Sequence, residues 1–232
     1  MGLWLTEEGR QAESAAFANA RRSAPQPPRG ETHAKRIFDI LAAGSALVAL
    51  APLIGAFALA VKLQDGGPAF FAQKRYGRDG RIFKCYKLRS MVVDADVRLK
   101  KLLETDPAAR AEWEATQKLT NDPRITALGR FVRKTSIDEL PQLFNVLRGD
   151  MSLVGPRPIV ENEIAKYGEN YRDYCAVRPG ITGAWQVSGR SDTTYSERVQ
   201  MDVEYAKTRS FWGDMRIVLE TIPAVLLSRG AR

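Results

Sequence analysis

"LAAGSALVALAPLIGAFALAV", residues 41–61, runs for 21 positions without a charge in a chain of 232 residues that is 27% Asp, Glu, Lys and Arg. As a straight helix it would be about 32 Å long against about 30 Å of bilayer hydrocarbon, so its length permits a transmembrane span. Pro52 stands in its middle, where it removes a backbone hydrogen bond and costs about 3 kcal/mol, so a break into two short arms is predicted there. Arg21, Arg22, Arg29, Lys35 and Arg36 precede the run, and Lys62, Lys74, Arg75, Arg78 and Arg81 follow it. Positive residues favour the cytoplasmic side of a membrane, and neither flank is the less basic one, so both ends are expected on the same face. The reading is a re-entrant hairpin anchor over residues 35–63 that dips into the inner leaflet. A kinked single span and a buried core helix stay open, because a hairpin exposes backbone groups near Pro52 to lipid.

Outward from this run, residues 1–34 are rich in Ala, Pro and charge without apolar periodicity and are expected to form a disordered tail. No cleavable signal peptide is expected, since the apolar stretch starts so late. Residues 64–232 are long enough for one core. Lys and Arg total 35 against 27 Asp and Glu, a net charge of +8, so anionic partners are expected: nucleotides, acidic lipid or nucleic acid. Cys85 and Cys175 fit no metal-ligand spacing and suit a reducing compartment. In the segment after the apolar run, Asp79-Gly80 between β-forming runs predicts a basic hairpin over residues 69–88. Lys84 there reads as a solvated edge charge. Residues 93–119 are expected to be helical, with Pro107 in a first turn.

"RKTSIDELPQLFNVLRGDMSLVGPRP", residues 133–158, is the densest stretch. Leu140, Leu143, Phe144 and Leu147 recur at helical spacing, and Ser136 with Glu139 has the form of a capping box. The adjacent Asp138 and Glu139 therefore have two readings. They stabilise a helix start, or they do chemistry, because a carboxylate can attack phosphorus and a pair can hold a divalent metal. Arg157, fixed between Pro156 and Pro158, is suited to grip phosphate oxygens, and Arg133 and Arg148 are further cations within reach. Downstream, Gln186, Arg190 and Trp185 are candidates for recognising a base or sugar, Trp185 equally for packing. Asp202 and Tyr205 share a helix face. The segment from Phe211 is apolar enough to lie in the headgroup region or in the core.

Taken together, "KRIFDI", the proline-broken apolar run, "YKLRSM", "DPRIT", "DELPQL", "LVGPRP" and "RPGITGAWQVSGR" resemble the bacterial sugar transferases known as monotopic phosphoglycosyl transferases, over about 200 residues. The resemblance implies an α+β, mainly helical fold: a re-entrant membrane helix hairpin broken at Pro52, plus a small cytosolic catalytic domain with a β-hairpin and interfacial helices. It implies transfer of a sugar 1-phosphate from a UDP-sugar to undecaprenyl phosphate with release of UMP, as the first step of exopolysaccharide biosynthesis at the cytoplasmic face of the bacterial inner membrane. Asp138 would be the nucleophile of a ping-pong reaction and a ligand of Mg²⁺, with Glu139 its partner. Arg157 would hold the phosphate, and Arg133, Lys87 and Arg89 would neutralise charge around it. UDP-galactose or UDP-glucose is the favoured donor; another UDP-sugar for O-antigen or capsule, and a basic lipid- or nucleic-acid-binding module, are the alternatives. No nucleic-acid partner is expected, and a homo-oligomer is left open. Ala51 stands where some members have Ser before the proline, and the chain looks like a minimal version without the multi-span N-terminal domain of the large members.

Overall fold

A computed structural model describes residues 33–116, 119–188 and 193–226. Residues 1–32 of the expected tail and Arg190 lie outside the described residues, whereas His33 and Ala34 already belong to the first helix. The fold is mostly helical with two small sheets, in line with the expected class.

The predicted break at Pro52 is absent: the apolar run forms α1, His33–Asp65, one continuous helix of 33 residues with Pro52 inside, the ring removing one hydrogen bond while the turns on either side stay helical. It is long and apolar enough to cross a membrane, and little of it is buried. Leu41, Val48, Leu59 and Leu63 are exposed, with Val48 at 79%. That exposure excludes the core-helix alternative, since an apolar face left outside the protein needs an apolar medium. The other face of α1 is a stripe through Lys35, Asp39, Ala43, Leu50, Ile54, Phe57 and Val61, a helical period facing the rest of the chain. Ala43, Leu47 and Leu50 pack into a cluster with Leu143, Val146 and Met151, while Phe57 stacks on Phe131.

Both ends of α1 are tied to the same domain. At the start, Lys35 is buried against Asp214, Arg36 donates to the carbonyls of Val146 and Leu147 at 2.8 and 3.0 Å, and Asp39 accepts from Ser152 Oγ at 2.8 Å and Leu153 N at 3.2 Å. At the finish, Arg89 pairs with Asp65 and donates to the Val61 carbonyl.

The expected hairpin is present as β1 (Phe70–Tyr76) and β2 (Ile82–Leu88), antiparallel with Phe70 opposite Leu88 and Tyr76 opposite Ile82. Asp79 and Gly80 turn the chain with φ of 58° and 67°, a conformation these two residue types tolerate. Lys84 is exposed opposite Lys74. The expected helical arm is α2 (Ala95–Thr105) and α3 (Pro107–Thr116). Asp106 caps α3 by accepting from Ala108 and Ala109 N. Helix α4 spans Ala127–Lys134 and is capped by Thr126, which accepts from Gly129 N.

After a 3-10 turn at Ile137–Glu139 comes α5, Gln142–Arg148, then β3, Ser152–Val154. Helices α6 (Glu161–Tyr167) and α7 (Tyr171–Cys175) lead to β4, Gly180–Thr182, which pairs with β3 in parallel. Helices α8 (Ala184–Ser188), α9 (Tyr195–Thr208, with a Thr194–Glu197 capping box) and α10 (Phe211–Leu226) complete the described chain. A second core cluster of Tyr76, Ile159, Tyr167, Tyr171, Tyr174 and Val199 joins β1 to α6, α7 and α9.

The loop after β3 crosses the start of β4 backbone to backbone. Gly155 N donates to Thr182 O and Gly180 N to Pro156 O, at 2.9 and 2.8 Å. A Cβ on Gly180 would meet Gly155 N at 2.1 Å, and one on Gly155 would meet the Arg178 carbonyl at 2.3 Å. Glycines in "LVGPRP" and "RPGITG" are therefore what allow the loop carrying Arg157 to seat. Gly180→Ala is expected to destabilise the protein by about 2–3 kcal/mol, as overpacking of a tight site does, and to lower the melting temperature by several degrees in a thermal scan.

Candidate active site

Seven segments meet at one cleft. Arg75 comes from β1, Cys85 and Lys87 from β2, Glu139 from the 3-10 turn, Gln142 from the first residue of α5, Arg157 from the glycine-seated loop, and Gln186 from α8, with Gly180 and Ile181 of β4 between them. The hairpin is fixed to α5 by Asn145, fully buried, which accepts from Tyr86 N at 3.0 Å and donates to Lys84 O at 2.7 Å.

The acid pair does not cap a helix. Ser136 adopts a left-handed conformation, φ 57°, and its side chain makes no capping bond, so the expected capping box is absent. Pro141 at the N-cap of α5 explains the difference: it follows a separate 3-10 turn on which both acids sit. A non-glycine residue at positive φ is strained, and here it sets the turn that presents the two carboxylates.

The two carboxylates have opposite environments. Glu139 Oε1 accepts from Lys87 Nζ at 2.6 Å. Loss of hydration alone would raise the Glu139 pKa, but the Lys87 ammonium, with Arg157 and Arg75 behind it, outweighs this and holds it below the usual range. Asp138 is 7% exposed and forms no salt bridge with a described residue. Burial pushes its pKa up to about 6 and the Glu139 charge adds to that, against the pull of Lys87 and Arg133. Adjacent acids split in this way divide the work: one is a fixed carboxylate, the other a more basic one that is ionised at neutral pH and free to react.

Arg157 is half-buried between two buried prolines, and its guanidinium has no hydrogen bond or ion pair with a described residue. Arg75 donates to Pro158 O at 2.9 Å, which fixes the same loop from below. Burial and then the Arg157 charge hold the Arg75 pKa down. Three cations thus face one cleft with one carboxylate among them.

Other expected site residues lie elsewhere. Arg133 donates to Ser90 Oγ at 2.7 Å, with its charge felt at Asp138. Arg89 is not brought to the cleft; it is committed to Asp65 and to the carbonyls of Pro68 and Val61 at the end of α1. Gln186 borders the cleft and donates to Ile181 O at 3.1 Å. Asp202 accepts from Tyr167 Oη at 2.7 Å in the core. Tyr205 donates to Val154 O at 3.0 Å and bonds Asp214 at 2.8 Å. Trp185 is buried beneath the Arg198 guanidinium. Sequence reasoning missed Gln142 and Arg75; the first stands one helical turn after Asp138 in "DELPQL", a spacing that could have drawn attention to it.

Among the described residues no group of three or more His, Cys, Asp or Glu side chains could hold a metal by itself. The acid pair fits the other pattern, Mg²⁺ held by one or two carboxylates together with substrate phosphates.

The model of the family described as bacterial sugar transferase matches residues 30–228. The chain belongs to the bacterial sugar transferase family. It is 52% identical over 203 residues to the undecaprenyl-phosphate galactose phosphotransferase of Salmonella typhimurium, covering 88% of this chain and 42% of that protein. It is 46% identical over 222 residues to the exopolysaccharide production protein ExoY of Rhizobium meliloti, covering 96% and 97%. A UDP-glucose:undecaprenyl-phosphate glucose-1-phosphate transferase of Caulobacter vibrioides is 38% identical over 226 residues, 94% and 79%. The chain thus spans less than half the length of the Salmonella relative.

Beside the cleft, burial raises the Asp202 pKa to about 7, against the Tyr167 hydrogen bond and the Arg157 charge. A folded-state pKa above the unfolded value near 3.9 gives stability that is full below about pH 4 and is lost as pH rises through about 7. Asp202→Asn is therefore expected to flatten the fall in stability between these values, by about 4 kcal/mol at most, in chemical denaturation measured across pH.

Proposed function

We propose that the protein transfers a hexose 1-phosphate from a UDP-sugar, UDP-galactose or UDP-glucose, to undecaprenyl phosphate, releasing UMP as the priming step of exopolysaccharide synthesis. The observation that carries this reading is the site's division of labour. Lys87 engages Glu139 in the cleft that Arg157 borders, and the adjacent Asp138, buried just outside the cleft lining, has no ion-pair partner among the described residues.

Asp138 attacks the β-phosphorus of the donor. The bond to the bridging oxygen breaks, and that oxygen leaves with its electron pair on UMP. An oxygen of the lipid phosphate then attacks the aspartyl phosphosugar, and the Asp–phosphorus bond breaks to restore the carboxylate. Arg157 and Lys87 bind the phosphate oxygens through charge-assisted hydrogen bonds, and Glu139 holds Lys87 in place. A more basic carboxylate is the better nucleophile, so the burial of Asp138 serves the first step. Mg²⁺ held by Asp138 and the diphosphate would supply Lewis-acid polarisation and offset repulsion between carboxylate and phosphate.

The same reading places the domain on the cytoplasmic face of the inner membrane, with α1 re-entrant. A straight span would set the two ends of the 33-residue α1 about 50 Å apart on opposite sides of about 30 Å of hydrocarbon. Contacts of Lys35, Asp39 and Asp65 with one domain support a course in which both ends stay on one side. Helix α10 fits the headgroup layer. Its Trp212 is 79% exposed, Leu219 and Ile222 are exposed, and Phe211 meets Phe38 of α1 edge-on at 5.7 Å. A soluble donor and a lipid acceptor meet at that boundary.

With UDP-galactose or UDP-glucose, Mg²⁺ and undecaprenyl phosphate, Asp138→Asn is expected to lower UMP release by at least about 10³-fold, the scale of losing a nucleophile. Turnover at the wild-type rate in this variant would remove the assignment. Single cysteines placed at the exposed Ala34 and Lys62 are both expected to resist a membrane-impermeant thiol reagent applied from the periplasm; labelling of either one would rule out the re-entrant course.

A further inference from the structure

Gln142 is 2% exposed, borders the cleft, and makes no hydrogen bond through its amide to any described residue. Buried amides are almost always bonded, so one left open toward a cleft awaits a ligand atom. Arg75 borders the same cleft, and its buried Nε–H has no acceptor among the described residues.

An amide offers two N–H donors and a carbonyl acceptor. Ionised diphosphate oxygens only accept, so they satisfy the donors of Arg157 and Lys87 and leave the Gln142 carbonyl unmet. A nucleobase calls for a stacking face, and no aromatic side chain borders this cleft. A hydroxyl both donates and accepts. In the reaction proposed above, the sugar hangs by one oxygen on the phosphorus that Asp138 attacks, and Gln142 follows Asp138 by one helical turn.

We propose that Gln142 is a specificity-determining residue whose amide exchanges hydrogen bonds with a hydroxyl group of the transferred hexose. This rests on the transferase reading for the identity of the ring, and its test is independent of turnover.

The full chain in detergent with Mg²⁺ is titrated with galactose 1-phosphate, glucose 1-phosphate and inorganic phosphate, and affinities are read by calorimetry. The wild type is expected to bind at least one hexose 1-phosphate about tenfold more tightly than inorganic phosphate, the scale of one or two net hydrogen bonds. Gln142→Met, similar in shape but unable to donate or accept at that position, is expected to lose the advantage and keep its affinity for inorganic phosphate. Gln142→Asn, which pulls the amide back by one methylene, is the second variant and carries the same expectation. No hexose advantage in the wild type, an advantage that survives in a folded variant, or loss of inorganic phosphate along with it would each overturn the assignment. Absence of UMP release by the wild type would instead defeat the transferase reading, and the binding comparison would still decide the subsite.

Discussion

The buried polar clamp at the start of α1 is the interaction on which the rest of the structure hangs. Lys35 pairs with Asp214, Tyr205 bonds the same carboxylate, and Asp39 takes Ser152 and Leu153. Removing one partner of such a buried pair typically costs about 3–5 kcal/mol, whereas an apolar replacement of the whole set can be neutral, so the clamp specifies position more than it adds stability. What it positions is β3. The loop that follows β3 directly carries Arg157, and β4 pairs with β3 to form the cleft's far side. The long apolar helix and Arg157 of the cleft are thereby set in one rigid relation.

A second constraint is electrostatic. Arg75, Arg157 and Lys87 face one cleft, where Glu139 pairs with Lys87 and Glu163 lies 3.7 Å from Arg75. Arg75 senses Arg157 as a like charge. An empty cleft of this kind is a frustrated arrangement, relieved when an anion enters. The site also keeps Asp138 buried, which an approaching anion alone would disfavour in its ionised form. Nucleophile and grip thus make opposite demands, which the chain meets by separating them: burial acts on Asp138, while the cations gather around Glu139 and Arg157.

Much of this was legible from residue types whose preferences are local. Asp79-Gly80 announced the hairpin, Pro107 the start of α3, and the run at residues 41–61 a long apolar helix, because each depends on backbone sterics or transfer energy within a few residues. The two prolines flanking Arg157 announced a fixed arginine. Other features depend on partners far away in sequence. Arg89 has the same local signature as Lys87, yet Asp65 captures it 24 residues earlier in the chain. The Ser-x-x-Glu pattern at Ser136 was overridden when Pro141 and a left-handed Ser136 split the segment into two turns. Gln142 and Arg75 gave no signal by type, since an amide or a guanidinium becomes informative only when burial deprives it of water.

Pro52 lies inside a helix that stays continuous, and its place on that helix bears on the re-entrant course proposed for it. The inner stripe of α1 passes through Leu50 and Ile54. Pro52 lies two residues from each, about 200° around the helix, and is exposed on the outer face with Val48. A ring there crowds the Val48 carbonyl and removes a hydrogen bond on the outer face, so any bend it favours is convex outward, on the side away from the domain. Both ends of α1 meet one body of protein through the Asp39 and Asp65 contacts. A proline on the inner stripe would favour the opposite bend and work against those contacts, so the proposed topology depends on the face that Pro52 occupies as much as on its presence.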